Sequence, residues 1–186
     1  MNKLNTNKSK HKTKSIYIPS IITRTVSLSI KFIGENIKET LEKEIKFNIE
    51  GKCIVEGYVN PGSARIISYS SGTISGASVD FETVVECLLC NPVEGMLIDC
   101  VAKNITESSG IRAETNDEPS PVVIYIARDH YYKDNIFKNV KVNQAIKVRV
   151  IGQRFELNDS YISIIAEIVD VKKKKLTEKK KLIIED

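Results

Sequence analysis

The chain of 186 residues has no tryptophan, two histidines, two methionines, five prolines and four cysteines, and its aromatic fraction is 6%. Each scarcity closes off a class. With only His11 and His130, a multi-histidine metal centre is excluded. Acid–base catalysis would have to rest on His130 beside Asp129, yet neighbouring loop residues seldom converge on one substrate, and neither G-x-S-x-G nor G-x-x-x-x-G-K-[ST] occurs. The expectation is a protein that is not an enzyme and carries no cofactor. Cys87-x-x-Cys90 has the spacing of half a zinc site, but Cys53 and Cys100 lack a matching pair, and residues three apart on a strand project to opposite faces. The four thiols read as small buried hydrophobes, with no metal bound. Long apolar runs are missing too: the longest, Pro121 to Ala127, is far short of the ~18 residues that a membrane span needs. The basic start MNKLNTNKSKHKTKS leads into no apolar leader, so the expected setting is intracellular and reducing.

What is present is charge, unevenly distributed. The net charge is +4, but residues 1–15 hold five lysines and no acid, and residues 172–186 hold seven lysines against three acids. The body between keeps 16 basic and 21 acidic residues, a net charge of −5. A mildly acidic body cannot coat itself with phosphate backbone, so affinity for nucleic acid has to come from local patches or from the tails.

Between the tails, hydrophobic period divides the chain. Val26, Leu28, Ile30 and Phe32 alternate with polar residues over 25–32, the signature of a half-buried strand. Ile33, Ile37, Leu41 and Ile45 then recur every fourth residue, a helix that Gly51 stops. Cys53 to Val59 reads as a strand, Asn60-Pro61-Gly62 as a turn, and Ala64 to Tyr69 as its returning partner. A long strand follows, with Val79, Phe81, Thr83, Val85, Cys87 and Leu89 on one face, and Asn91-Pro92 ends it. The first module is thus β-α-β-β-β over 16–92, between a basic tail at 1–15 and a second module at 93–171; a lysine-rich tail occupies 172–186. Within the second module, 96–104, 111–115, 122–126 and the two arms of the hairpin VRVIGQRFELNDSYISIIAEI (148–168) read as five strands. Gly152 sits where the alternation slips. Five strands with a connection after the third fit an OB-fold barrel, so the fold class is α+β, mostly β.

In this order, GYVNPGSARI (57–66), VDFETVVECLLCNPVEGM (79–96), GIRAE (110–114), SPVVIYIARDH (120–130) and IKVRVIGQRFELND (146–159) resemble the stalk subunit of multisubunit DNA-dependent RNA polymerases. That is the family of the seventh subunit of eukaryotic polymerase II and of its archaeal counterpart. The likeness spans 16–171, and the compact chain with basic ends is similar to the version found in large DNA viruses. The resemblance implies a tip domain that plugs into the RNA polymerase core, with Gly57, Tyr58, Pro61 and Gly62 at or near the docking surface. It implies a barrel that reaches the RNA exit, a companion stalk subunit resembling the fourth subunit of the eukaryotic enzyme, and contact with single-stranded nascent RNA. The setting would be the nucleus or, for a viral protein, the host cytoplasm, virus factory and virion. The wider barrel class usually places a Phe after the glycine of its second strand and a His in its third. Here stand Ile111-Arg112 and Tyr125, which thins the stacking available to bases.

Residues with the reach and chemistry for RNA are Lys103, Arg112, Tyr125, Arg128, His130, Lys147, Arg149 and Arg154. Lys147 and Arg149 alternate with Ile146, Val148 and Val150, so they share an outward face and make either a phosphate track or ion pairs with Glu156 and Glu167. Three functional readings remain: a noncatalytic polymerase subunit, a freestanding OB-fold RNA-binding protein comparable to a translation factor, or an interaction scaffold with no RNA contact, which the acidic body favours.

Overall fold

Alternating side chains make two strands dominate the first half of the protein: β1 (Ile18–Ser29) and β6 (Ser78–Cys90). The computed structural model describes residues 15–106, 110–128 and 140–171; the tails and residues 129–139 lie outside them. Between β1 and β6 come α1 (Ile37–Ile49), β2 (Cys53–Ile54), β3 (Gly57–Val59), β4 (Arg65–Tyr69) and β5 (Thr73–Ser75). After them follow β7 (Leu97–Thr106), β8 (Gly110–Glu114), β9 (Val122–Ile126), β10 (Ala145–Arg154) and β11 (Ile162–Val171). The described residues are mostly strand, with one α-helix. They group into two units: the chain up to Pro92 together with Arg154–Ile162, and Val93–Gln153 together with the chain from Ser163 onward.

In the first unit β6 is central. β1 pairs along one of its edges from Ile18↔Leu89 to Ser29↔Ser78, and β3, β4 and β5 pair in succession along the other. One face carries Ile22, Val26 and Leu28 of β1 with Phe81, Val85, Cys87 and Leu89 of β6, packed with Leu41, Ile45 and Ile49 of α1. Each such side chain contributes about 1.5–3 kcal/mol on burial. Thr83 stands in that row, and its hydroxyl is satisfied by donating to the Arg24 carbonyl at 2.7 Å. The helix follows from its spacing, with Glu39 in the first turn, Lys46 in the last and a Lys46–Glu42 ion pair at 2.6 Å. It closes before Gly51, whose φ is 69°.

Three expectations for this unit need correction. The strand expected over 25–32 ends at Ser29, and Ile30–Phe32 turns as a 3-10 segment, which leaves Ile30 and Phe32 exposed. The strand expected over 53–59 is two, β2 and β3, which pair with each other through Cys53↔Tyr58. Val55 and Glu56 turn the chain, and only Gly57 after them marks the reversal, so alternation ran through the turn. The 64–69 segment pairs with β6, not with β3, because the 13-residue β6 offers an edge long enough for three short strands. The tip of the long hairpin belongs to this unit as well. Its Asn158 N–H donates to the Cys53 carbonyl at 2.8 Å, and the Cys53 N–H donates to the Asp159 carbonyl at 2.8 Å.

The second unit is a closed five-stranded barrel, ordered β10-β11-β9-β8-β7, consistent with an OB-like fold. Ile98, Cys100 and Ala102, Ile111 and Ala113, Val122, Ile124 and Ile126, Ile146, Val148 and Val150, and Ile164, Ala166 and Ile168 are buried on its five strands. A register shift between Ala102 and Asn104 leaves Lys103 without an opposite number on β8, a bulge that bends β7 as barrel closure requires. On β10 the alternation of buried side chains stops after Val150, with Gly152 half-exposed.

Candidate nucleic-acid interface

Side chains that point inward on β7, β8 and β9 fill the barrel; those between them stand outside in a row set by register. Asn104 pairs with Arg112 and Arg112 with Tyr125, so an amide, a guanidinium and a phenol ring lie side by side across three strands. They border an open hollow of about 380 Å³, lined also by Thr106, the exposed Ile165 and the strand segments at Ile111 and Ile126, whose own side chains are buried. Gly110 forms its rim. The backbone there has φ 120°, and a Cβ would lie 2.1 Å from the Ile126 carbonyl oxygen, so β8 and β9 meet at this point only through glycine. Tyr125 is 43% exposed on an otherwise buried strand. An exposed aromatic ring beside a guanidinium offers a stacking platform and a phosphate or base-edge donor, the two contacts that single-stranded nucleic acid uses.

Arg112 also makes an ion pair with Glu114 at 3.1 Å, and its charge is partly answered within the protein. So are two other arginines named for RNA: Arg149 pairs with Glu167 at 2.9 Å, and Arg154 with Glu156 at 3.1 Å. The three pairs are solvent-exposed, worth at most about 1 kcal/mol each, and a phosphate can compete for them. Lys147 and Arg149 do alternate with buried residues on β10. That strand is separated from β8 by β7 and from β9 by β11, so these two cations are not beside Arg112 and Tyr125. Arg154 falls in the first unit. Lys103, at the bulge, and Arg128, just past β9, are exposed, while His130 lies outside the described residues. The structure therefore brings together Arg112 and Tyr125 of the residues proposed for RNA, and adds Asn104, Thr106 and Ile165. Polar or apolar residues at outward strand positions carry no chemical signature of their own, and only the register reveals them.

Of the four residues proposed for docking, Pro61 and Gly62 are exposed in the turn after β3, where Gly62 has φ 75° and the Ser63 hydroxyl donates to the Asn60 carbonyl at 2.6 Å. Gly57 and Tyr58 are buried. Tyr58, 1% exposed, lies between Cys53 and Cys90 in the strand register, so its ring is core and not surface. A Cβ on Gly57 would come within 2.5 Å of the Cys90 carbonyl oxygen.

Three of the four thiols, Cys53, Cys87 and Cys100, are poor nucleophiles where they stand. Burial pushes Cys53 up to about 11 and Cys100 up to about 12, in each case with an aspartate adding to the effect, and burial raises Cys87 as well. These three stay protonated at neutral pH. Among the described residues no three or more His, Cys, Asp or Glu side chains gather as a metal site, and no helix is long and apolar enough to cross a membrane.

The closed five-stranded barrel, with its strand order, is consistent with an OB-like fold. Comparison narrows this. The chain is 25% identical over 175 residues, 85% of its length and 84% of the relative's, to a protein of Acanthamoeba polyphaga mimivirus named "Putative DNA-directed RNA polymerase subunit". No protein-family model matches the chain.

Proposed function

We propose that the protein is a noncatalytic stalk subunit of a DNA-directed RNA polymerase. Its first unit docks on the polymerase core around Pro61 and Gly62, and its barrel pairs with a companion stalk subunit and touches nascent single-stranded RNA through the Arg112–Tyr125 hollow. The observation that carries the RNA contact is the register that sets Arg112 against Tyr125 beside an open hollow. The polymerase assignment draws support from the likeness to the mimivirus protein across most of both chains. On this reading a viral polymerase places the protein in the virus factory.

Retention of the large catalytic subunits by the tagged protein, expressed in cells that make its own polymerase, is the expected result. A folded, tagged protein that never retains them overturns the proposal. A freestanding RNA-binding protein is the second reading. It would need several unpaired phosphate contacts and would lose roughly a thousandfold or more in affinity between low and moderate salt if it makes six or more. The ion pairs at Arg112, Arg149 and Arg154 favour the subunit, whose RNA contact need not stand alone.

A further inference from the structure

β1 is an unusual margin for a sheet. In the order β1-β6-β3-β2 its one neighbour among the described strands is β6, and all twelve of its residues pair with that neighbour in a single unbroken register. Its other edge therefore presents, at alternate residues, amide and carbonyl groups to which no described strand bonds. The strand is about 40 Å long at ~3.3 Å per residue, about twice the usual length. Natural edges of such length are blunted by lysines, bulges, prolines or a covering element. β1 has no lysine and no bulge, and its proline, Pro19, stands at one end. Its single charge, Arg24, is turned into contacts with the Glu56 carboxylate and, at 2.8 Å, with the Thr23 carbonyl. The middle, Ile21-Ile22-Thr23-Arg24-Thr25-Val26, is rich in β-branched residues that favour pairing.

We propose that the free edge of β1, from Ser20 to Ser29, is a docking site for an extended, uncharged strand of a partner protein, which adds to the sheet by β-augmentation. An edge of alternating backbone donors and acceptors is complementary to another polypeptide backbone. Ile22, Val26 and Leu28 face the core, while Thr23, Thr25 and Ser27 face away. The incoming strand therefore carries apolar residues beside the first set and small polar ones beside the second. A second copy fits poorly. Antiparallel self-pairing must set same-face residues opposite, and the two nearly full-length registers place Arg24 either against its own copy or against Ile22, each breaking the apolar row. The first fourteen residues, MNKLNTNKSKHKTK, have no apolar alternation to offer. The inference does not rest on the polymerase reading.

Backbone hydrogen exchange on the full, isotope-labelled chain tests it. Exchange is run on the isolated protein and on the complexes it forms in cells, each quenched into aprotic solvent and read residue by residue. Every second amide from Ser20 to Ser29 exchanges freely in the isolated chain and slows about a hundredfold once the partner stands at about a hundred times its Kd. Arg24→Pro and Thr25→Pro supply the variants, since successive amides point to opposite edges. The one whose amide is free in the isolated chain keeps the fold and loses partner retention by about tenfold or more. Unchanged retention by that folded variant overturns the proposal. So does slow exchange in the dilute isolated chain, which assigns the edge to the chain itself, and so does protection that tracks the protein's own concentration with a doubled mass, which assigns it to a second copy. Retention of polymerase subunits with β1 still exchanging freely in the complex sinks the edge proposal alone and leaves the polymerase reading standing.

Discussion

Replacing Gly110 with alanine adds one methyl group at the rim of the hollow, and its cost follows from two separate facts. The first is conformation: a φ of 120° is a region that L side chains rarely occupy, worth about 1–3 kcal/mol. The second is space. The new Cβ would lie 2.1 Å from the Ile126 oxygen and 3.3 Å from the Ala127 Cα, backbone on every side, so β8 and β9 must separate, at an overpacking cost of about 1–3 kcal/mol. Together these give about 2–6 kcal/mol, or a fall in Tm of at least about 4 °C for a chain of this size. Gly152→Ala adds the same methyl within the same barrel where nothing stands within 4 Å and φ is not positive, so stability stays level or rises by about 0.5 kcal/mol. Gly62→Ala isolates the conformational part, since φ is 75° but the space is open, and should cost about 1–2 kcal/mol. Urea unfolding followed by circular dichroism should rank the midpoints Gly152→Ala at or above the parent, then Gly62→Ala, then Gly110→Ala. A Gly110→Ala midpoint equal to the parent's, or a Gly152→Ala midpoint as low as Gly110→Ala's, would refute the close approach of β8 and β9 on which the hollow depends.

Tyr125→Ala should weaken crosslinking of nascent RNA to the assembled polymerase, equivalent to about 1–3 kcal/mol of lost stacking, while Tyr125→Phe keeps it; equal loss in both variants would exclude a stacking role. Tyr58→Ala should destabilise the first unit by about 3–5 kcal/mol, measured by the same urea titration, and a surface-like cost below about 0.5 kcal/mol would show the ring is not core. Native protein at pH 8 should resist alkylation by iodoacetamide at Cys53 and Cys100, and both should react in urea. Their folded values of about 11 and about 12 stand above the ordinary 9.0. Stability from these thiols is therefore fully present below about pH 9 and is lost as pH rises through 11 and then 12; unfolding midpoints that rise over that alkaline interval would contradict their burial.

The barrel was legible in the sequence because its strands keep one face apolar without interruption: Val122–Ile126 was bounded to the residue, and Ile146, Val148 and Val150 turn inward as alternation requires. The helix of the first unit was legible for the same reason, although its first expected residue, Ile33, precedes it. What the pattern could not reveal was pairing. Gly57, with φ 135°, is the one residue of 53–59 that marks the reversal at Val55-Glu56, and a lone glycine in a strand pattern reads equally well as a bulge; β5, three exposed residues long, has no apolar face to announce it. The hollow divides along the same line. Arg112 and Tyr125 were visible as residue types, but their direct opposition is a matter of register between strands, and Asn104 and Ile165 join them for no reason that a one-dimensional pattern contains. Tyr58 shows the converse: the resemblance put it at or near a docking surface, and the strands on either side close over it.

On the proposed reading, the electrostatics of the body bear on where an RNA contact would have value. A body of net charge −5 repels phosphate at long range, and Arg112 and Arg149 enter any contact already paired with Glu114 and Glu167. What Tyr125 and the exposed Ile165 add is short-range and indifferent to sequence, so the folded body without the two lysine-rich tails should hold single-stranded RNA weakly and with little salt dependence. Tethering changes this. A site fixed to a polymerase meets the emerging transcript at an effective concentration of about a millimolar, where a contact too weak to survive in dilute solution is occupied for most of the time. An isolated body, without the tails, that bound RNA with nanomolar affinity and a steep salt slope would contradict this division of labour and return the protein to the freestanding reading.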